Sequence, residues 1–296
     1  MGELRLTIGL PGSGKSSYAE MLLSQGNYTN NAQIWHRINW DDMRKDRGMH
    51  LRNFNRKEEE QMQRDSFLLA EDLGRNGANV IVDNTNLNLN TRNKWKGVAQ
   101  RAGMDYNEII MESSLEECID RDSKRVGIEQ CGRAVIERMA LFAGLISFQP
   151  WERLVLVDMD GTLADCSERK KYISEGRHDW GSFEGDAVLL DTPRWPIIGL
   201  VGMLSAQGYT ILIVSGRQID RAGKNTVTWL DGFKVPYKHI FMRNGGDSRP
   251  DNIVKQEILD KLPKDQISYV LDDRDQVVKM WRENGLTCLQ VNNGNF

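Results

Sequence analysis

The chain has little cysteine, no long apolar run and no excess of positive charge, and each shortage closes off a class of function. Its four cysteines, Cys118, Cys131, Cys166 and Cys288, are irregularly spaced and form no C-x-x-C pair. That pattern supports neither a disulfide framework nor a zinc site, and it suits a reducing, cytoplasmic setting. No stretch approaches the roughly 18 consecutive apolar residues of a membrane span. The N-terminus MGELRLTIGLPGSGK has no basic segment leading into an apolar core, so we expect neither a secretory leader nor a membrane partner. A formal net charge of −3 argues against a protein that coats long duplex, which needs a broad basic face. It leaves room for an enzyme that grips one or two phosphates at a strand end with local arginines. Internal repeats and low-complexity tracts are also missing.

What is there fits two globular domains: 296 residues, 40% hydrophobic and 27% charged. In the first half, short apolar strands are expected at 4–8, 34–38, 80–82 and 106–111. They alternate with helices at 15–24, 56–75, 91–102, 115–125 and 134–146. The Phe148-Gln149-Pro150 segment stops the last helix, which places a boundary near residue 150 and domains at 1–149 and 150–296. The second half repeats the alternation, with strands at 154–157, 210–214, 237–242, 268–271 and 287–291. Strand alternating with helix predicts an α/β fold class, two doubly wound parallel-sheet domains. The polar, Gly-rich, Trp-containing stretch 165–196 reads as an insertion that caps a site.

Two strands end in phosphate-type loops. The first leads into Gly9-Leu10-Pro11-Gly12-Ser13-Gly14-Lys15-Ser16, which matches G-x-x-x-x-G-K-[ST] at every fixed position and opens a helix. Glycines let backbone N–H groups converge on phosphate, Lys15 supplies a point charge, and Ser16 is a ligand for Mg²⁺. Gly9, Gly12, Ser13, Gly14, Lys15, Ser16 and Ser17 are therefore the expected nucleotide cradle. On the acceptor side, Asp41 follows the second strand and could take a proton from an attacking hydroxyl. Arg44 could hold an acceptor phosphate. Either Asp41 or Asp42 could instead simply cap a helix. Asp83-Asn84-Thr85-Asn86 follows another strand, where Asp83 could orient Mg²⁺ through water and the asparagines could line the site. Arg121 and Arg125 are four apart on a predicted helix and could close over a triphosphate, or belong to a solvated charged face.

The second loop is Asp158-Met159-Asp160-Gly161-Thr162 after the apolar run Leu154-Val155-Leu156-Val157. Two carboxylates two apart are expected to point the same general way and hold one Mg²⁺, with Asp158 attacking phosphorus and Asp160 protonating the leaving oxygen. Ser215-Gly216-Arg217 ends a later strand and could bind phosphoryl oxygens. Lys255 could neutralise an aspartyl-phosphate, or be a surface helix residue. Asp272 and Asp273 follow another strand and could complete the metal site.

Taken together, these motifs resemble the phage-type polynucleotide kinase–3′-phosphatase family, over nearly the whole chain and in the order kinase then phosphatase. The second half by itself resembles the haloacid-dehalogenase superfamily. The resemblance implies an N-terminal P-loop kinase fold and a C-terminal haloacid-dehalogenase-like (Rossmannoid) fold. It implies ATP and Mg²⁺ as cofactors and RNA or DNA ends as partners. It makes Asp41 the base for a 5′-OH and places Arg44 on the acceptor's 3′-phosphate. Arg125, helped by Arg121, stabilises the transferring phosphoryl group. Asp158 becomes the nucleophile and Asp160 the acid/base, with Ser215, Arg217, Arg243, Asp251, Lys255, Asp272 and Asp273 lining the pocket. A tetramer is the family expectation. The family pattern has Asp directly before T-N; here that position is Asn84, with Asp83 one earlier. Two other classes remain open: a small-molecule kinase fused to a nucleotidase, and a nucleotide-gated scaffold, against which the complete D-x-D-G-T loop argues.

Overall fold

The structure is a computed structural model and describes residues 2–25, 34–49, 55–172 and 179–294. The chain divides into two units, Met1–Cys131 and Gly132–Phe296.

The first unit runs β1 (Glu3–Ile8), α1 (Lys15–Gln25), β2 (Trp35–Ile38), α2 (Trp40–Asp46), α3 (Arg56–Arg75), β3 (Asn79–Val82), α4 (Leu89–Ala102), β4 (Asp105–Ile110) and α5 (Leu115–Ser123). Its strands form one sheet in the order β2-β3-β1-β4, with every pairing parallel. Leu4 and Leu6 of β1 lie beside Val80 and Val82 of β3, and all four are fully buried. Helices cover this sheet through apolar stripes. Met62, Ser66, Ala70 and Gly74 of α3 recur every four residues and face inward. Trp95 of α4 is fully buried and packs edge-on against Phe67 of α3, ring centres 4.5 Å apart. Asparagines start three helices. Asn39, Asn55 and Asn88 each accept hydrogen bonds from two backbone N–H groups of the following turn.

The second unit runs α6 (Arg133–Phe142), β5 (Arg153–Val157), β6 (Ala164–Asp165), α7 (Trp180–Glu184), β7 (Thr192–Pro193), α8 (Trp195–Ala206), β8 (Tyr209–Gln218), α9 (Ile219–Gly232), β9 (His239–Arg243), α10 (Asp251–Leu259), β10 (Ile267–Arg274), α11 (Asp275–Glu283) and β11 (Cys288–Gly294). Five parallel strands lie in the order β11-β10-β5-β8-β9. Both faces are covered, so β5 is apolar throughout. Val155 and Val157 pack with Ile211, Ile213 and α9, while Leu154 and Leu156 pack with Leu212, Val214, α10 and α11. Connections leave β5 and β10 in opposite directions across the sheet. The crevice at their carboxyl ends is thus a topological switch point, where ligands bind in open α/β sheets.

Several local features differ from the sequence expectation. The segment 40–46 is a helix. The helix expected at 134–146 spans Arg133–Phe142 and packs on β9: Glu137 accepts from the Ile240 N–H at 2.6 Å, and Arg138 donates to the Met242 carbonyl at 2.8 Å. Ser215-Gly216-Arg217 and Asp272-Asp273 lie inside β8 and β10 rather than beyond them. Register shifts there turn these residues out of the regular pleat. The insertion at 165–196 carries the β6–β7 ribbon and α7, with 173–178 outside the described residues.

Candidate active sites

In the first unit, β1 delivers the chain into the Gly9–Gly14 turn and α1 begins at Lys15. Gly12 has φ +82°, and a Cβ there would collide with the Cys118 carbonyl oxygen. That position therefore needs glycine on two counts. Lys15 is buried, and its ammonium donates to the Leu10 carbonyl at 2.7 Å. Burial pulls its pKa down while Asp83 works the other way. Gly9 and Ser13 are buried in the turn, Ser16 is half-buried at the first turn of α1, and Ser17 is exposed.

The acceptor-side residues ride on α2. Asn39 caps this helix by accepting from Asp41 N–H at 2.9 Å and Asp42 N–H at 3.0 Å. Asp41 is thus no cap: its carboxylate is largely exposed and pairs with Arg44 at 2.5 Å. Arg44 is clamped on its other side by Glu59 of α3, through Nε at 2.9 Å and Nη2 at 2.6 Å. That bidentate contact depresses the Glu59 pKa. Asp83 is buried against Arg37 and Asn39, with Oδ1 lacking a hydrogen-bond partner among the described residues. Asn84 and Asn86 knit the turn to its surroundings instead of lining a cavity: Asn84 accepts from Trp40 N–H and Asn86 donates to the Thr7 carbonyl, each at 2.8 Å. The predicted helix at 115–125 ends at Ser123, so Arg121 and Arg125 do not share its face. Both still approach the cradle. Arg121 donates to Ser113 Oγ at 2.8 Å and to the Gly12 carbonyl at 3.4 Å. Arg125 lies close enough to Lys15 to repel its charge.

In the second unit, Asp158 sits at the end of β5, with its N–H bonded to the Leu271 carbonyl of β10. Lys255, on the first turns of α10, donates to Asp158 Oδ1 at 2.6 Å and Asp272 Oδ2 at 2.8 Å, and is fully buried. Burial alone would discharge this lysine; Asp158, Asp272 and Asp251 outweigh it and raise its pKa. Asp158, Asp272 and Asp273 bring carboxylate oxygens within 4.8 Å of one another. Burial, with repulsion from Asp272, pushes Asp273 up to about 6. Asp273 Oδ2 is buried without a hydrogen-bond partner among the described residues. A hard divalent cation fits this cluster: all donors are oxygens, one is orphaned, and the crowded negative charge favours a cation.

Asp160 departs from expectation. After Asp158 the chain curls, because Met159 O accepts from the N–H groups of Thr162, Leu163 and Ala164, and Gly161 takes φ +82°. The two carboxylates therefore diverge. Asp160 leaves the metal-type cluster and meets Arg217 at 2.5 Å and Arg169 at 2.6 Å. Burial would raise its pKa, but the Arg217 and Arg169 guanidiniums outweigh this and hold it below the usual carboxylate range. Asp191 binds both arginines, at 2.6 Å to Arg169 and 2.7 Å to Arg217. Arg169 and Asp191 were missed in sequence. Both lie in the insertion, and neither stands in a motif. Arg243 also differs: it donates to the carbonyls of Gly216, Asp247 and Arg249 and to Asp251, so it braces the Ser215-Gly216-Arg217 bend rather than facing a ligand. Ser215 Oγ accepts from the Arg217 N–H at 3.2 Å.

Comparison with known proteins gives two matches, one to each half of the chain, and the N-terminal match includes α6, which packs in the second unit. Residues 152–296 match the family described as Polynucleotide kinase PNKP phosphatase domain, and residues 4–143 match the AAA domain family. Domains of these two kinds use a nucleotide and a divalent metal. A protein of Autographa californica nuclear polyhedrosis virus, provisionally named a bifunctional polynucleotide kinase/RNA ligase, is 28% identical over 308 residues. That match covers 95% of this chain and 41% of the viral protein, so the chain spans well under half the length of this relative. A chain of the Pnkp1/Rnl/Hen1 RNA repair complex is 24% identical, with 100% of this chain and 97% of that one covered and a TM-score of 0.42. The APS kinase CysC of Mycobacterium tuberculosis is 26% identical, covering 42% of this chain and 69% of its own, with a TM-score of 0.35.

Proposed function

We propose that this chain, whose residues 152–296 match the polynucleotide kinase phosphatase domain family and whose first unit carries a P-loop, is a two-headed nucleic-acid end-repair enzyme. One head transfers the γ-phosphate of ATP to a 5′-OH end of RNA or DNA. The other removes a 3′-phosphate through an aspartyl-phosphate. The observation that carries this reading is the buried Asp158–Lys255–Asp272–Asp273 cluster at the switch point of one sheet, in a chain whose other sheet carries a complete P-loop.

In the kinase head, the Gly9–Ser16 loop cradles the phosphates and Lys15 turns from the Leu10 carbonyl to the β- and γ-phosphates. Asp41 takes the proton of the 5′-OH, and Arg44, held by Glu59, positions the acceptor. Arg121 and Arg125 offset charge on the transferring group. In the phosphatase head, Asp158, Asp272 and Asp273 would hold Mg²⁺, which would offset phosphate charge. Asp158 attacks phosphorus and Lys255 neutralises the acyl phosphate. A phosphate that competes for Arg169 and Arg217 raises the Asp160 pKa as it binds, which suits proton donation to the leaving 3′-oxygen. With the arginines returned, Asp160 takes the proton of the attacking water. The family's tetramer belongs to this proposal and is read by light scattering.

The test uses one oligonucleotide bearing a 5′-OH and a 3′-phosphate, incubated with the protein, ATP and Mg²⁺ and weighed by mass spectrometry. Gain of a 5′-phosphate with loss of the 3′-phosphate supports the reading. An unchanged oligonucleotide beside phosphorylated free nucleoside or sugar transfers the assignment to a small-molecule kinase fused to a nucleotidase.

A further inference from the structure

We infer that Trp281 is a positioning residue of the phosphatase metal site, whose indole N–H fixes the Asp272 carboxylate and so sets the affinity of the cluster for a divalent cation. The inference rests on the phosphatase reading above. Trp281 lies on α11, which packs against β10, and the residue is 1% exposed. Its Nε1 donates to Asp272 Oδ2 at 3.1 Å. The same oxygen receives Lys255 Nζ at 2.8 Å, and Asp272 Oδ1 receives the Arg274 N–H at 3.2 Å. Three donors from three elements therefore fix one carboxylate. Rotating Asp272 about Cβ–Cγ breaks at least one of them.

The Trp281 ring belongs to the same apolar cluster as Val254, Ile258, Val277 and Val278, and its indole N–H is the one polar group it must satisfy there. The indole N–H of fully buried Trp95 has no partner among the described residues. At Trp281 the N–H meets a carboxylate of the metal-type cluster. Hydrogen bonds to ionised acceptors are shorter and stronger than neutral ones, and outer partners that orient a ligand are worth roughly 10–100-fold in metal affinity. Among the described residues the Trp281 indole N–H donates to Asp272 of the cluster, so its effect passes through Asp272.

The experiment measures Mn²⁺ binding to the full chain without nucleotide, by electron paramagnetic resonance of the free ion. Asp273→Asn serves to identify the phosphatase site. Two replacements remove the N–H: Trp281→Phe, and 3-benzothienylalanine at position 281, which preserves the bicyclic shape. Both are expected to weaken the site about tenfold or more. The emission difference between wild type and Trp281→Phe is expected to change as Mn²⁺ fills the site. Wild-type affinity in the benzothienyl protein overturns the inference even if Trp281→Phe binds weakly, because the ring's shape alone then accounts for the loss. Should Trp281→Phe fail to fold, the benzothienyl protein carries the test. If Asp273→Asn removes no Mn²⁺ site from wild type, the phosphatase reading fails first and this inference with it.

Discussion

At the scale of single residues, the phosphatase head hangs on buried charge. Arg169, Arg217 and Asp191 are each at most 5% exposed, and the two guanidiniums share Asp191 and Asp160. Deleting one member strands the others without water. Asp191→Ala is expected to cost on the order of 3–5 kcal/mol in the second unit and to abolish phosphatase activity. Asp191→Asn keeps the shape and should cost less. Thermal melts beside 3′-dephosphorylation assays check both. The two heads use separate phosphate cradles, so their key residues should separate cleanly. Lys15→Ala should eliminate 5′-phosphorylation and spare the phosphatase, and Asp158→Asn should do the reverse, since an amide forms no acyl phosphate. Loss of both activities in either folded variant contradicts independent heads. The D-x-D spacing was legible in the sequence. The divergence of Asp158 from Asp160 was not, because the turn at Met159–Ala164 and the distant Arg169 and Arg217 set it.

At the scale of elements, α2 shows what sequence patterning cannot see. Seven residues carry no apolar periodicity, yet Asn39 before two acidic residues is a start signal. The helix is held by its cap, by Trp40 and Met43 packed on the core, and by Glu59 of α3 gripping Arg44, a contact between elements that no local rule predicts. Asn39→Ala is expected to cost about 1 kcal/mol. It should lower 5′-phosphorylation more than 3′-dephosphorylation, because Asp41 and Arg44 ride on α2. Parallel assays of both heads test this. The Arg44 contact also has a pH signature. Arg44 depresses the Glu59 pKa from its ordinary 4.5. The stabilisation is thus present above that value and lost as pH falls through the lower folded value. Glu59→Gln should flatten this acid limb in melts followed from pH 6 to pH 3; parallel limbs in the two proteins count against it.

At the scale of the molecule, α6 and the acidic cluster matter most. The helix sits on β9 through Glu137 and Arg138, so a fragment beginning at residue 150 bares that strand, while one beginning at 132 keeps it covered. We expect the 132–296 fragment to be soluble and to retain phosphatase activity, and the 150–296 fragment to aggregate; expression and size-exclusion chromatography decide. Chelation with EDTA should abolish both activities. Readded Mg²⁺ should raise the melting temperature of the second unit, by about 2.7 kcal/mol of stability at a hundredfold excess over Kd. No helix among the described residues is long and apolar enough to cross a membrane.

The two phosphate loops, the parallel α/β class and most strands are legible in the residues alone, because they depend on short-range features: glycines at fixed spacing, apolar runs and strand–helix alternation. The sequence also named Lys255, Asp272 and Asp273 by their order along the chain after the second phosphate loop. Which carboxylates meet follows from packing across the folded chain. Asp158 and Asp272 are 114 residues apart and share one lysine, whereas Asp158 and Asp160 are neighbours that turn to different partners. Packing also supplied Arg169, Asp191, Glu59 and Trp281, whose roles arise from contacts across elements that one-dimensional spacing does not encode. Local conformation is written in local residues; a buried charge takes its partner from whatever the packed fold places beside it.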